Sequence, residues 1–190
     1  MGIFIPCCGS SASSEGDTAR DSGGGSGGVI DENGELRQKV IAEYEEYKAK
    51  SFANVPDISV EELMNQKADH KAGHEDSGDA NLVILDCRSE PEQAVSVLPG
   101  AISKDDFESD PQKFAGRKVV VYCTIGYRSG LYTRDLKARG IDAVNLRGGV
   151  LSWAIAGGEF VNPQTGTETK RVHVYGKQWD LLPPNYEAVY

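Results

Sequence analysis

Short runs of consecutive apolar residues alternate with longer segments of mixed polarity through the middle of the chain. The runs Leu82–Leu85, Val119–Tyr122 and Ala143–Leu146 are rich in β-branched residues, which predicts strands. Helical segments follow two of them, at Ser129–Arg139 and Leu151–Ala156. Strands and helices that alternate at this spacing predict βαβ units, and therefore an α/β fold with a parallel sheet flanked by helices.

A helical pattern precedes this region. Apolar side chains recur there at spacings of four, four and three residues: Leu36, Val40, Tyr44 and Tyr47. The pattern predicts an amphipathic helix over residues 35–50, which we interpret as docked on the following domain. A helix that binds a partner is the alternative. Farther along, Ser59 followed by Glu62 predicts the capping box of a second helix.

Residues 67–81 are polar and contain glycine, which predicts a surface loop. His70 and His74 stand four residues apart, the spacing of a pair of metal ligands on a helix. No cysteine stands near them, and Gly73 weakens a helix at this point. We therefore interpret both as solvated histidines and expect no metal site.

The last thirty residues carry two patterns. Arg171–Tyr175 alternates like a strand, and Trp179, Leu181 and Leu182 are expected to pack on the domain. Pro183–Tyr186 reads P-P-N-Y, which matches the P-P-x-Y ligand of WW domains. A packed tail is the favoured interpretation of this short motif, and a WW-domain partner is the alternative.

The chain has 190 residues, a net charge of −9 and a pI near 4.9. This length suits one domain with extensions. The negative charge argues against a nucleic-acid partner, because no basic stripe is present to neutralise phosphates. It argues equally against electrostatic attachment to anionic lipid. No apolar run is long enough to cross a bilayer.

The four cysteines are Cys7, Cys8, Cys87 and Cys123. Cys7 and Cys8 are adjacent, whereas Cys87 and Cys123 are far apart and each follows an apolar run. This spacing is typical neither of a disulfide framework nor of a zinc site. We therefore predict a reducing compartment, cytosolic or organellar, and favour a cytoplasmic protein.

The N-terminus has features of an acylation signal. Removal of Met1 would expose Gly2 for myristate, and Cys7 and Cys8 could accept palmitate. Residues 9–28 are rich in Ser and Gly, which predicts a flexible tether. Pro6 departs from the usual Ser or Thr at that position. Two acyl chains attach a protein stably to a membrane, whereas a single myristoyl chain does not. The pattern therefore predicts a lipid anchor on the cytosolic face of a membrane.

Cys123 stands between the end of a predicted strand and the start of a predicted helix. Backbone N–H groups and the helix dipole converge at such a place and lower the pKa of a thiol. Gly126 allows the loop to curl inward, and Arg128 adds a positive charge. The sequence therefore predicts a reactive, nucleophilic Cys123; a small buried apolar side chain is the alternative.

Four segments together resemble a single-domain rhodanese, a sulfurtransferase, over residues 58–160. They match, in order, its strand ending in Asp-x-Arg, its I-P-G-A-I turn, its active-site loop and its N-L-x-G-G-x-x-x-W segment: Val83–Arg88, Leu98–Ile102, Val119–Gly130 and Asn145–Trp153. The resemblance implies a five-stranded parallel sheet flanked by helices. It divides the chain into a flexible tail (1–30), a helix and linker (31–57), the rhodanese domain (58–160) and a C-terminal extension (161–190).

The same resemblance implies a mechanism. Cys123 would take sulfane sulfur from a small donor such as thiosulfate, become a persulfide, and pass the sulfur to a thiol acceptor without a cofactor. Asp86 and Arg88 are expected to support the loop, and a surface ion pair is the alternative for them. The residues expected to bind the substrate are those of the loop: Thr124, Ile125, Gly126, Tyr127, Arg128 and Ser129.

Two positions depart from the family pattern. Val97 replaces a histidine that often precedes the I-P-G-A turn, and Cys87 makes the Asp-x-Arg motif read D-C-R, as in some rhodanese-fold phosphatases. The active-site loop of those phosphatases has five residues between its Cys and its Arg. Here only four residues separate Cys123 from Arg128. The shorter loop favours sulfur over phosphate, with a phosphatase as the minor alternative.

Two further alternatives concern the role of the domain and of its second cysteine. A rhodanese domain can be an idle binding module, because a fold does not guarantee an activity. Cys87 could act as a resolving thiol for an oxidised Cys123. The favoured interpretation of Cys87 is a buried strand residue that faces away from Asp86 and Arg88.

Overall fold

The computed structural model describes residues 32–71 and 82–190. The predicted tether and the predicted acylation sites Gly2, Cys7 and Cys8 lie outside the described residues. His74 also lies outside them, so the expectation for the His70–His74 pair stays a prediction. Among the described residues, no helix combines the length and the apolar character that crossing a bilayer requires.

A five-stranded parallel sheet forms the centre of the fold, with the strand order β1-β5-β4-β2-β3. In chain order its strands are β1 (Asp57–Ile58), β2 (Leu82–Asp86), β3 (Ile102–Ser103), β4 (Lys118–Tyr122) and β5 (Ala143–Leu146). The predicted five-stranded parallel sheet is confirmed. Because the strands are parallel, the residues that follow them meet at one edge of the sheet.

Six α-helices lie between and around these strands in the described residues. They are α1 (Glu32–Ser51), α2 (Val60–Lys71), α3 (Glu90–Val95), α4 (Lys104–Ser109), α5 (Tyr127–Ala138) and α6 (Gly149–Ile155). Ser59 and Glu62 form the predicted capping box at the start of α2. The predicted loop from Lys67 is wrong at its start, because α2 continues to Lys71. Residues 67–71 contain no Gly or Pro, so a helix with a firm start propagates through them.

Helix α1 docks on the domain through the predicted apolar face. The side chains of Val40 and Tyr44 are fully buried. The Tyr44 hydroxyl donates a hydrogen bond to Asp57 at 2.6 Å, and the Lys48 ammonium forms an ion pair with the same carboxylate. The docked interpretation is therefore confirmed, and the apolar face is not free to bind a partner.

The two faces of the sheet carry separate hydrophobic clusters. Ile84 and Val120 pack with α1, α2 and α6, whereas Val83 and Val119 pack with α4 and α5. Successive side chains of a strand point to opposite faces of the sheet. Residues paired on neighbouring strands, such as Ile84 and Val120, therefore lie on the same face. This alternation decides which side chains meet at the carboxyl edge.

The C-terminal segment packs on the domain. Its strands β6 (Phe160–Val161) and β7 (Glu168–Thr169) form an antiparallel pair, and β8 (Arg171–His173) pairs in parallel with β9 (Glu187–Val189). The strand predicted at 171–175 is present but ends at His173. Tyr186 is buried, and its hydroxyl donates to the carbonyl of Gly158 at 2.8 Å. The packed interpretation of the P-P-N-Y segment is therefore the one that the structure supports, since a WW-domain ligand must expose this ring.

Candidate active site

Cys123 lies at the junction that the sequence predicts, directly after β4 and four residues before α5. Its side chain is 1% exposed. The backbone N–H of Gly126 donates to Cys123 Sγ at 3.2 Å, and the Ser129 hydroxyl donates to it at 3.4 Å. We call residues 123–128 the Cys123 loop. Its sulfur is held inside the turn by donors of the loop and of the first turn of α5.

These contacts stabilise a thiolate. Burial by itself raises the pKa of the Cys123 thiol, because it disfavours the charged form. Hydrogen bonds from Cys87 and Ser129 and the charge of Arg128 act in the opposite direction and prevail, so the pKa lies well below its usual value. A thiolate is the nucleophilic form of cysteine. The site therefore favours the form of Cys123 that can act as a nucleophile.

Helix α6 orients the Cys123 loop from behind. The N–H groups of Val150 and Leu151 donate to the carbonyls of Cys123 and Thr124 at 3.0 and 3.2 Å. A Cβ atom at Gly149 would lie 2.2 Å from the Cys123 carbonyl oxygen, so only glycine permits this approach. With these carbonyls held by α6, N–H groups of the loop such as that of Gly126 face the sulfur.

Helix α1 and β5 fix the loop at Gly126. This residue has a φ of +100°, and a Cβ atom there would lie 2.6 Å from the ring of Tyr44. The Asn145 side-chain amide donates to both the Gly126 carbonyl and the Tyr44 hydroxyl at 3.0 Å. The loop thus depends on a helix that precedes the region with the family motifs.

Arg128 is engaged by a carboxylate inside the protein. Its guanidinium donates two hydrogen bonds to Glu92, of 2.7 and 2.6 Å, and one to the Thr124 hydroxyl at 3.2 Å. Burial raises the pKa of Glu92, but the hydrogen bonds from Arg128 and Ser89 outweigh it and lower the pKa to about 2. Glu92 thus neutralises the charge of Arg128 in the absence of a ligand, and the expectation that Arg128 binds the substrate stays a prediction.

Asp86 and Arg88 form a buried pair with each other. Their side chains are 1% and 0% exposed, so the interpretation as a surface pair is wrong. Arg88 also donates to the Ser96 carbonyl at 2.6 Å. The Tyr122 hydroxyl donates to Asp86 at 2.6 Å and accepts from the Leu98 N–H at 3.2 Å. Asp86 therefore anchors the residue directly before Cys123, and the pair reaches the loop through Tyr122.

Cys87 lies beside the reactive sulfur. It is half-buried and packs against the cluster of Val83 and Leu85. Its interaction with Cys123, together with burial, raises the pKa of Cys87 well above its usual value, and the same interaction lowers the pKa of Cys123. As expected, the side chain of Cys87 lies on the opposite face of the sheet from those of Asp86 and Arg88. That face is also the one on which Cys123 lies.

A cavity of about 390 Å³ opens over Cys123. Of the predicted loop residues, Thr124, Ile125, Tyr127 and Arg128 line it, whereas Gly126 and Ser129 contact the sulfur from within the loop. Its remaining lining side chains are aromatic and come from outside the loop: Tyr47, Tyr175 and Trp179. We call these three residues the aromatic rim.

The aromatic rim is held by ring contacts. The centroid of the Tyr47 ring lies 4.9 Å from that of Tyr127 and 6.2 Å from that of Trp179. The Arg128 guanidinium stacks on Tyr175 at 5.1 Å. Tyr175 is 60% exposed and has a positive φ of 70°. The cavity therefore has the Cys123 sulfur at its base and aromatic rings at its mouth. Among the described residues, Arg128 is the one cationic side chain that lines it, and Glu92 neutralises that charge.

Sequence reasoning missed several residues of this site. Glu92 follows Ser89 at capping-box spacing, which predicts a helix start but no contact with Arg128. Tyr44 and Tyr47 were recognised only as an apolar helix face, and Asn145 only as part of a motif. In residues 32–71 and 82–190, no group of three or more His, Cys, Asp or Glu side chains is arranged to hold a metal ion.

Comparison with known proteins agrees with this architecture. The family model for the rhodanese-like domain matches residues 65–156. The tRNA sulfurtransferase of Desulfurococcus amylolyticus is 42% identical over 77 residues, which are 40% of this chain and 15% of that protein. The tRNA uridine(34) hydroxylase of Agrobacterium fabrum is 28% identical over 109 residues, which are 52% of this chain and 35% of that protein.

Among solved structures, the thiosulfate sulfurtransferase of Pseudomonas aeruginosa superimposes with a TM-score of 0.50 and 27% sequence identity. The match covers 68% of this chain and 24% of that structure. The chain thus spans about a third or less of the length of each of these three relatives. The matched family region contains the Cys123 loop, Glu92 and Asn145, whereas the aromatic rim lies outside it.

Proposed function

This chain is a rhodanese-like domain protein, and on that premise we propose that it transfers sulfane sulfur through a persulfide on Cys123. Two of the relatives that it resembles are sulfurtransferases by name, which supports this proposal. The observation that carries the proposal is the buried Cys123 sulfur, which accepts hydrogen bonds from Gly126 and Ser129 and has a lowered pKa. A thiolate in this setting attacks an electrophilic sulfur atom.

With thiosulfate as the donor, the loading step balances without a cofactor. The Cys123 thiolate attacks the outer sulfur of thiosulfate, the S–S bond of the donor breaks, and sulfite leaves with the electron pair. The product is a Cys123 persulfide anion. The donors that hold the thiolate, the Gly126 N–H and the Ser129 hydroxyl, are placed to stabilise this negative charge as it moves outward by one sulfur.

Intact-protein mass spectrometry tests the proposal. The Cys87→Ser variant is the protein to load, because it contains Cys123 without the neighbouring thiol. Incubation with thiosulfate should add the mass of one sulfur atom, which cyanide removes as thiocyanate. The double variant Cys87→Ser, Cys123→Ser is the matched control and should add nothing. Equal gains in both proteins would contradict the assignment.

The same variants discriminate the two alternative functions. A phosphatase would hydrolyse p-nitrophenyl phosphate in a Cys123-dependent reaction, and an idle binding module would neither load sulfur nor hydrolyse phosphate. The bidentate pairing of Arg128 with Glu92 argues against a phosphatase, because a phosphate ligand needs that guanidinium free. We therefore expect loading with sulfur and no phosphate hydrolysis.

For the acceptor, we propose a small organic thiol. The names of two relatives contain tRNA, but this chain covers only 15% and 35% of those proteins. Its own net charge of −9 argues against binding a phosphate backbone. Filter binding of labelled tRNA at low salt checks this, and we expect no retention by the full chain.

Membrane attachment through Gly2, Cys7 and Cys8 also stays a proposal. A fluorescent fusion of the full chain should sit on a membrane and become diffuse when both cysteines are replaced by serine. Equal distribution of the two proteins would contradict it.

A further inference from the structure

Cys87 and Cys123 occupy neighbouring positions on adjacent strands. Strands β2 and β4 are parallel, with Asp86 paired to Tyr122, and a cysteine follows each of these residues. The Cys87 N–H donates to the Tyr122 carbonyl at 3.0 Å, which extends the ladder past the end of β2. Adjacent strands lie about 4.8 Å apart, within the Cα separation of about 4.4–6.8 Å that a disulfide spans.

The two thiols also turn to the same side of the sheet. Val83 and Leu85 of β2 and Val119 and Val121 of β4 share one hydrophobic cluster, against which Cys87 packs. Side chains alternate between the two faces along a strand, so the residue two positions after Leu85 or Val121 lies on the same face. Those residues are Cys87 and Cys123. The effect of each cysteine on the pKa of the other agrees with this placement.

The backbone around Cys87 is held in place. Asp86 and Arg88, on either side of it, form the buried ion pair, and the Gln93 amide donates to the Arg88 carbonyl at 2.7 Å. These contacts hold the backbone of Cys87 beside that of Cys123. The parallel pairing of β2 and β4 therefore brings the two cysteines together without a substrate.

We infer that Cys87 is the resolving thiol of the Cys123 persulfide and releases its outer sulfur as sulfide. This inference rests on the proposed function. Cys87 Sγ attacks Cys123 Sγ, the bond from Cys123 Sγ to the outer sulfur breaks, and a Cys87–Cys123 disulfide forms. The proton of Cys87 passes to the outer sulfur, which leaves as HS⁻. The sulfane sulfur gains two electrons and the two cysteine sulfurs lose two.

The order of events follows from the charges. Before loading, the neighbouring Cys123 and burial raise the pKa of Cys87, which favours its thiol form. After loading, the negative charge lies on the outer sulfur, and Cys123 Sγ becomes an electrophile. Attack by Cys87 is therefore restricted to the loaded protein. A dithiol such as dithiothreitol then reduces the disulfide and restores the starting state.

A single-turnover experiment without reductant tests the inference. Wild-type protein and Cys87→Ser are mixed with thiosulfate, and sulfide is measured together with intact mass and disulfide-linked peptides. The wild type should release one equivalent of sulfide and yield a peptide that joins Cys87 to Cys123. The Cys87→Ser protein should keep the added sulfur and release at least tenfold less sulfide. The rate should be independent of protein concentration, as expected for an internal reaction.

The outcomes separate the inference from the proposed function. A stable added sulfur in the wild type, equal to that in Cys87→Ser, would overturn the role of Cys87 and leave sulfur transfer intact. Absence of added sulfur in Cys87→Ser together with absence of sulfide from the wild type would overturn both. If the rate of sulfide release rises with protein concentration, a thiol of a second molecule attacks the persulfide. That result would contradict attack by Cys87 of the same molecule.

Discussion

The Cys123 loop and the aromatic rim meet at one cavity but are held there in different ways. Backbone hydrogen bonds fix the loop from α6, and side-chain hydrogen bonds fix it from β5. The rim is held by contacts between rings, and Tyr175 is 60% exposed. Preorganised donors suit charge stabilisation, whereas apolar rings at a mouth suit contact with the body of a substrate.

The two regions also differ in origin. The Cys123 loop lies inside residues 65–156, which match the rhodanese-like domain. Tyr47 belongs to α1, and Tyr175 and Trp179 belong to the C-terminal segment, all outside that match. Under the proposed function, we expect the matched domain to supply the sulfur chemistry and the flanking segments to supply selectivity. Changes in the loop should therefore abolish loading, and changes in the rim should alter the choice of substrate.

The largest expected effect is that of Gly126→Ala in the loop. The left-handed backbone costs about 1–2 kcal/mol for alanine, and the contact with the buried Tyr44 ring adds about 1–3 kcal/mol. We expect the free energy of unfolding in urea to fall by about 2–5 kcal/mol and sulfur loading to be lost. Gly116→Ala is the control, since its φ is +77° with no atom within 4 Å, and it should keep loading. Full loading by Gly126→Ala would contradict the role of the loop geometry.

The next effect concerns Glu92, which neutralises Arg128 beneath the rim. Glu92→Gln should lower the free energy of unfolding at pH 7 by about 1–3 kcal/mol, less than for a fully buried pair, because the Arg128 side chain is 35% exposed. Glu90→Gln, an exposed position in the same turn of α3, should change it little. Equal losses in the two variants, measured by urea unfolding, would contradict the pairing.

Acid titration sharpens this result. The pKa of Glu92 is lowered from 4.5 to about 2 in the folded protein, so its contribution is complete above pH 4.5 and is lost as the pH falls toward 2. Stability of Glu92→Gln should therefore fall less steeply than that of the wild type across this interval. Parallel curves would show that Glu92 is not the group responsible.

A smaller and more selective effect is expected for Trp179→Ala in the rim. Benzenethiosulfonate and methanethiosulfonate deliver the same sulfur with an aryl or a methyl group, and a ring contact is worth about 0.5–1.5 kcal/mol. We expect the ratio of their kcat/KM values to fall about fivefold toward the methyl donor. Tyr190→Ala, which removes an exposed ring of the same segment outside the cavity, should leave the ratio unchanged. An unchanged ratio in Trp179→Ala would remove the rim from substrate selection.

The smallest effect is a shift in the ionisation of Cys123. Cys87 is among the groups that lower the pKa of Cys123, so that pKa should rise in Cys87→Ala, whereas Cys87→Ser keeps a polar hydroxyl and should shift it less. The pH dependence of iodoacetamide alkylation, followed on the Cys123 peptide, measures both. Superimposable profiles for the wild type and Cys87→Ala would contradict an influence of Cys87 on this ionisation.

The sequence by itself indicated the three central strands of the sheet, the approximate extent of α1, α5 and α6, the start of α2 and the position of the candidate nucleophile, but not α3 or α4. The runs Leu82–Leu85, Val119–Tyr122 and Ala143–Leu146 became strands because local periodicity and β-branched residues carry that information. The end of α2 was missed, since no glycine or proline marks it before Gly73. The loop around Cys123 was identified from its motif, whose glycine and arginine spacing is also local.

Only the tertiary structure decided which side chains surround that nucleophile. Glu92 meets Arg128 from 36 residues away, and Tyr44 meets Asn145 from 101 residues away. Cys87 adjoins Cys123 because the strand order places β2 beside β4 in register. Such contacts depend on sheet order, register and the docking of α1 and the C-terminal segment. No local pattern encodes them, because each is a property of two distant segments at once.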